Sequence, residues 1–262
     1  NVLIKELDGI KKEYGTKRRT AIENAQEAVY EEKKIEEMEV CFLMDRFGYM
    51  KLIDMTAYER NKEAAHNESK YLFPCMNTDK ICIFTDKGKM HTIKVMDIPL
   101  VRFRDKGTPA DNLSNYDSSQ EQMIYVSSMA DMKEGELLFV TAFGMCKLVD
   151  AAEFDVSKRT IASTKLSDGD TLLLVGKANE MDNVVLQSEN GYFLRFMTNE
   201  VPKKKKGAVG VRGIRLGQKD VLSHAYLIHS HTEYTISYKE KNVSLNKLKL
   251  AKRDGKGVKI RI

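Results

Sequence analysis

The residues in this sequence best suited to chemistry are lysines and arginines, and the chemistry they offer is attraction of anions. They recur in four short segments: Arg104 with Lys106, Lys158 with Arg159, Lys203, Lys204, Lys205 and Lys206 followed by Arg212 and Arg215, and Lys252 with Arg253 followed by Lys256 and Lys259. A second rank (Lys51, Lys94, Lys147 and Arg195) sits inside apolar stretches, where a solvent-facing role suits the residue types equally well. From Val201 to Ile262 sixteen Lys/Arg oppose four Asp/Glu, although the whole 262-residue chain carries only +5. Such asymmetry points to a polyanionic partner, with nucleic acid the first candidate. Gly207, Gly210 and Gly213 stand among these cations, where bare backbone amides could approach a phosphate closely.

Other chemistries lack their residues. The three glycines form neither a dinucleotide fingerprint nor a P-loop, because no Gly-Lys-Ser/Thr follows and no strand-to-helix context surrounds them. His229 and His231 alternate along an expected strand without a third ligand, so no metal site is expected. No Gly-x-Ser-x-Gly elbow occurs, and no catalytic constellation is expected. Cys41, Cys75, Cys82 and Cys146 lie in apolar runs without C-x-x-C spacing, which predicts buried, reduced thiols and a cytoplasmic location. No apolar run approaches the roughly 20 residues of a membrane helix, so no membrane partner is expected. The start lacks Met and an apolar signal core, which suggests a fragment of a longer, non-exported chain.

The elements that must position the cations repeat. An apolar strand, a turn with glycine and a second strand carrying Lys or Arg recur with turn positions Gly48, Gly88, Gly144 and Gly191, and a weaker fifth unit places Asn242 at the turn. A period near fifty residues, with two clear strands and a longer return segment, predicts a propeller-like disc of about five blades. Three basic segments fall in connectors between hairpins and the fourth follows the last hairpin, so the cations should line one continuous rim. Tyr49 and Tyr192, each following a turn glycine, are expected to pack on neighbouring blades. Ahead of the repeats, Leu3, Ile4, Leu7 and Ile10 predict a helix ending near Tyr14 with Gly15 as a left-handed cap, and 16–39 reads as an acidic, partly helical linker.

Several phrases carry a family resemblance. Phe47-Gly-Tyr-Met-Lys, Phe84-Thr-Asp-Lys-Gly-Lys-Met, Phe139-Val-Thr-Ala-Phe-Gly-Met-Cys-Lys and Gly210-Val-Arg-Gly-Ile-Arg-Leu, in this order, resemble the C-terminal domain of bacterial type IIA topoisomerase A subunits, those of DNA gyrase and topoisomerase IV. The opening Glu6-Leu-Asp-Gly-Ile-Lys-Lys-Glu-Tyr-Gly resembles the end of their breakage-reunion domain. The resemblance implies an all-β pinwheel over 38–262, whose blades exchange strands and whose basic perimeter bends double-stranded DNA, preceded by a helix and linker over 1–37. It implies that this fragment alone binds DNA without cutting it. ATP and Mg2+ would act on other parts of the parent enzyme, and the breakage-reunion domain and ATPase B subunit would be its partners. One departure stands out. Where gyrase follows its first blade with a basic, glycine-rich box, this chain has Tyr58-Glu-Arg-Asn-Lys-Glu-Ala-Ala-His, without glycine. That favours a topoisomerase IV-like role over a gyrase with a degenerate box. A reading from another class is a propeller serving as a protein-interaction scaffold, although the absence of tryptophan argues against WD-type repeats.

Overall fold

The computed structural model describes residues 2–17, 19–20 and 36–260, and the expected linker falls mostly on residues outside these ranges. Residues 1–36 and 37–262 form two compact units. The first contains the helix Val2–Tyr14, whose apolar side chains Leu3, Ile4, Leu7 and Ile10 are exposed. Gly15 closes the helix by donating its N–H to the Lys11 carbonyl at 3.0 Å. Its φ is not in the left-handed region, contrary to the cap expected. Glycine is needed there because a Cβ would collide with that same carbonyl oxygen.

Among the described residues the second unit contains four four-stranded sheets and a fifth, two-stranded one, all with antiparallel pairing between their strands. Each sheet is built on a hairpin: Glu39–Asp45 with Tyr49–Asp54, Lys80–Thr85 with Lys89–Lys94, Glu136–Thr141 with Met145–Asp150, Asn183–Ser188 with Tyr192–Met197, and Thr235–Tyr238 with Lys241–Ser244. The first four turns use Gly48, Gly88, Gly144 and Gly191 at φ +68° to +85°. The fifth turn differs from expectation. Lys239 and Glu240 take the positive φ values, 46° and 63°, and Asn242 lies in the strand that follows.

Beside each of the first four hairpins runs a third strand, Ser69–Met76, Met123–Ser128, Leu172–Ala178 or Leu222–Ile228, paired with the hairpin's first strand. These four strands touch one another in succession, so they form the inner edges of radiating blades. The opposite, outer edge is filled by short strands that the chain delivers only after building the next hairpin: Thr108–Pro109, Thr160–Ala162, Val211–Arg212 and Val258–Lys259. Neighbouring blades thereby exchange strands, as the pinwheel expectation requires.

The apolar hairpin strands follow from this stacking. A strand between two other blades buries both faces, so successive residues must all be apolar. Ile81 and Ile83 pack toward the first blade with Phe42 and Met44, while Cys82 and Phe84 pack toward the third with Leu137 and Phe139. The first blade has no predecessor for Cys41, Leu43 and Ile53. Two short helices, Met55–Arg60 and Lys62–Glu68, cover that face with Ala57, Tyr58 and Ala65. Asp54 caps the first of them by accepting from the Ala57 N–H at 2.8 Å. The glycine-free stretch after the first hairpin thus serves as a lid on an otherwise exposed sheet face. All four cysteines are buried and free, and burial pushes Cys41 up to about 11 and the other three up to about 12.

Candidate nucleic-acid interface

The basic segments lie along the outer edges of the first four blades. On the first, third and fourth blades the connector first runs parallel to the hairpin's second strand, with bridges Leu52–Leu100, Leu148–Lys203 and Arg195–Leu250. It then turns and returns antiparallel as the outermost strand. The return grazes the blade so closely that glycine is required. A Cβ on Gly210 would lie 2.7 Å from the Cys146 carbonyl oxygen, one on Gly257 2.7 Å from that of Phe193, and one on Gly107 would strike that of Met50. Gly213 is likewise packed, donating to the Gly144 carbonyl at 2.7 Å. Gly210 and Gly213 therefore serve contact with the third blade, not the approach to phosphate expected of them. Of the three loop glycines, only Gly207 has open space around it.

Three of the four consecutive lysines are engaged by neighbouring groups of the chain. Lys203 pairs with Glu136, whose hydrogen bond and charge hold the ammonium above the usual lysine range. Lys205 reaches Glu153 at 3.4 Å, and Lys206 donates to the Glu153 backbone carbonyl at 2.7 Å. Lys204 is exposed, with no ion pair among the described residues. Arg212 forms a bidentate pair with Asp254, lowering the carboxyl's pKa, and Arg253 donates to the backbone of Glu200 and Arg212. Arg159 sits 4.0 Å from Asp97. Part of the expected rim is thus neutralised in place.

Elsewhere the rim stays open. At the outer edge of the fourth blade, Arg215, Lys256 and Lys259 line a recess of about 300 Å³ with Asn190 and Tyr192. The acid in this recess, Asp220, is buried and accepts the Asn190 N–H at 3.2 Å. Lys259 lies over the Tyr192 ring, 5.6 Å from its centroid, and at the first blade Lys106 lies over Tyr49 at 4.1 Å. Both tyrosines therefore serve cations of their own blade, in contrast to the packing on neighbours expected of them. Arg104, Lys158 and Lys252 are exposed and without an ion pair among the described residues. Tyr192 and Asn190 join the site without having been expected there. The available signal is an aromatic directly after a turn glycine, opposite a lysine on the returning strand.

The second-rank residues divide. Lys94 is exposed. The other three turn inward: Lys147 donates to the carbonyls of Lys206 and Ala208, both at 2.6 Å, and Lys51 to those of Phe103 and Asp105. Arg195 donates to the carbonyls of Asn246 and Leu248. They are neither solvent-face residues nor free to meet a ligand. On the second blade the place of Lys51 and Lys147, third in the second hairpin strand, belongs to His91, whose ring nitrogens face Thr160 Oγ1 at 3.0 Å and Glu121 Oε2 at 3.2 Å. Burial alone would raise the Glu121 pKa, but hydrogen bonds from Thr85, Lys89 and His91 bring it below its ordinary value. The strand carrying His224 ends at Ile228, so His229 and His231 do not alternate on it; His229 Nδ1 instead meets buried Asp182 at 2.9 Å.

Comparison with known proteins gives this geometry a context. The family model described as "DNA gyrase C-terminal domain, beta-propeller" matches residues 79–118, 135–177, 182–229 and 241–261. The DNA gyrase A subunit of Deinococcus deserti is 29% identical over 86% of this chain and 29% of its own length. The DNA gyrase A subunit of Mycoplasma genitalium is 28% identical over 98% of this chain and 32% of its own length. The DNA topoisomerase 4 A subunit of Streptococcus pneumoniae is 24% identical over 99% and 33%. The chain thus spans about a third of the length of the curated relatives it matches. Among solved structures, the C-terminal domain of a DNA topoisomerase IV superposes with a TM-score of 0.74 at 25% identity, covering 86% of this chain and 73% of that one. A DNA gyrase A C-terminal domain gives 0.56 at 16% identity, over 84% and 76%, which speaks for the fold alone. With the family model matching more than half of its length and its sheets exchanging outer strands, the chain belongs to the family of C-terminal β-propeller domains of type IIA topoisomerase A subunits.

Proposed function

We propose that this chain binds duplex DNA along its outer edge and bends it for the cleavage core of a topoisomerase IV-like enzyme. The observation that carries this reading is the open cationic recess of Arg215, Lys256 and Lys259 beside Tyr192, with Lys106 over Tyr49 on the first blade. Cations on successive blade edges suit phosphates along a curved path. Each phosphate contact releases condensed counterions, so affinity falls steeply with salt and depends little on sequence. Bending 20–30 base pairs costs on the order of 1–6 kcal/mol, which several such contacts offset.

Two features support the topoisomerase IV reading. The stretch where gyrase carries its basic box is here a pair of helices covering the first blade, and the 0.74 superposition is with a topoisomerase IV domain. The identities of 28–29% to DNA gyrase A subunits favour the second reading, a gyrase domain with a degenerate box. In either case the parent enzyme would supply ATP and Mg2+ chemistry, the breakage-reunion domain and an ATPase B subunit, in the bacterial cytoplasm.

Fluorescence anisotropy with duplexes of unrelated sequence at about 100 mM salt tests DNA binding. Micromolar or better affinity with a steep salt dependence is expected. Absence of binding would leave the protein-interaction scaffold as the better reading. Reconstitution with the cleavage core and its ATPase partner tests the finer one: relaxation and decatenation without negative supercoiling are expected, and ATP-driven negative supercoiling would favour gyrase.

A further inference from the structure

We propose that Lys147 is a positioning residue, whose buried ammonium gathers the main-chain carbonyls of the lysine-rich loop and so turns that loop's side chains outward. The geometry recurs. Lys51 and Lys147 occupy the same place in the second hairpin strand, each immediately before a residue that bridges the outer connector, Leu52 to Leu100 and Leu148 to Lys203. Counted from the bridged residue, the carbonyls that accept from the lysine are three and five positions on in both blades: Phe103 and Asp105 in one, Lys206 and Ala208 in the other. Lys147 also approaches the Lys205 carbonyl at 3.4 Å.

An ammonium has three donors and no acceptor, so it can serve several carbonyls at the inside of a tight loop. With those carbonyls drawn inward, Lys204 and Lys205 are left exposed, and Arg104 is exposed in the loop held by Lys51. Lys147 itself is 1% exposed and cannot reach a phosphate. Its ammonium rests over the Phe139 ring at 5.4 Å, and Lys51 over Phe103 at 5.1 Å. The charged group that acts on Lys147 is Glu153, on the turn after its own strand; Lys205 and Lys206 meet it through their main-chain carbonyls. Burial pulls the Lys147 ammonium down to about 8, with Glu153 opposing. The fourth blade has Leu194 at this place, and there the Gly255 carbonyl accepts from the Arg215 N–H at 2.8 Å instead. The consequence for DNA rests on the binding role proposed above; the loop geometry does not.

The test uses the 262-residue chain and two readouts. In K147M, amide hydrogen exchange of Lys204–Val209 should quicken about tenfold while the hairpin strands keep their protection. Duplex affinity should fall several-fold in K147M, recover in part in K147R, and fall no further when K147M is added to K204Q/K205Q. Unchanged loop exchange in K147M, or a K147M penalty that simply adds to that of K204Q/K205Q, overturns the proposal. Should K147M fail to fold, the same cycle run with K51M and R104Q on the first blade decides it. If the parent chain does not bind duplex at all, the DNA-binding role falls, while the exchange measurement still judges the clamp.

Discussion

The outer loops of the third and fourth blades follow the same path yet hold their charge in opposite ways. On the third, two of four consecutive lysines pair with Glu136 and Glu153, a third donates to the Glu153 backbone, and a buried lysine grips the loop from behind. On the fourth, three cations far apart in sequence, from Arg215 to Lys259, face a common recess whose nearby acid is occupied by a backbone N–H. A run of like charge in sequence is therefore a poor guide to where positive potential is available. Acids delivered by neighbouring elements decide that, and surface pairs of this kind contribute little to stability while cancelling much of the local field.

This contrast can be broken in order of expected effect. The triple reversal R215E/K256E/K259E should weaken duplex binding most, on the order of a hundredfold at about 100 mM salt, because up to three phosphate contacts turn repulsive. Anisotropy titration measures it, and a change below about threefold would remove the recess from the interface. Replacing Lys203–Lys206 together with Gln should cost only several-fold and flatten the salt slope by about 1, since Lys203 and Lys205 are ion-paired, Lys206 donates to a backbone carbonyl, and of the four only Lys204 has no such partner among the described residues. A slope change near ~3.6 would mean that all four meet phosphates.

Between the loops' supports, G210A should destabilise the chain by about 1–3 kcal/mol, because φ there is +105° and a Cβ would meet the Cys146 carbonyl oxygen. G207A in the same loop should change stability by less than about 0.5 kcal/mol. Equal urea midpoints for the two variants would contradict the close-approach account. The smallest effect concerns pH. Lys147 titrates near 8 when folded and near the ordinary lysine value of 10.5 when unfolded. Between those values the unfolded chain holds a proton that the folded chain has lost, so rising pH favours folding, and below about pH 8 the gain is absent. Parent stability should therefore rise relative to K147M from pH 8 to 10.5, and parallel urea curves across that window would show that the amine is not desolvated.

Much of the fold was legible in the residues. Apolar runs such as Ile81–Phe84 and Leu137–Val140 announce strands buried on both faces, and Gly48, Gly88, Gly144 and Gly191 announce turns of positive φ. The fifth turn falls away from Asn242, which tolerates the left-handed region on its own. Lys239 and Glu240 adopt that region because the register of Ile236 with Val243 forces a two-residue turn. The site was legible in part. Lys256, Lys259 and Arg215 were identifiable as cations on connectors, but their convergence with Tyr192 depends on a strand that arrives from beyond the next hairpin. Lys147 could not be told from a solvent-facing lysine, since its carbonyl partners lie 59 and 61 residues away and backbone carbonyls leave no mark in sequence.

The sequence by itself determined the repeat, the hairpins and the side of each blade on which positive charge would gather. Local rules govern all three: continuous apolar runs for strands buried on both faces, turn stereochemistry and the placement of polar segments in connectors. Only the tertiary structure decided which of those charges remain available. Availability depends on acids, carbonyls and rings supplied by segments distant in the chain, and an ammonium's field is set by what lies within a few ångströms of it in space.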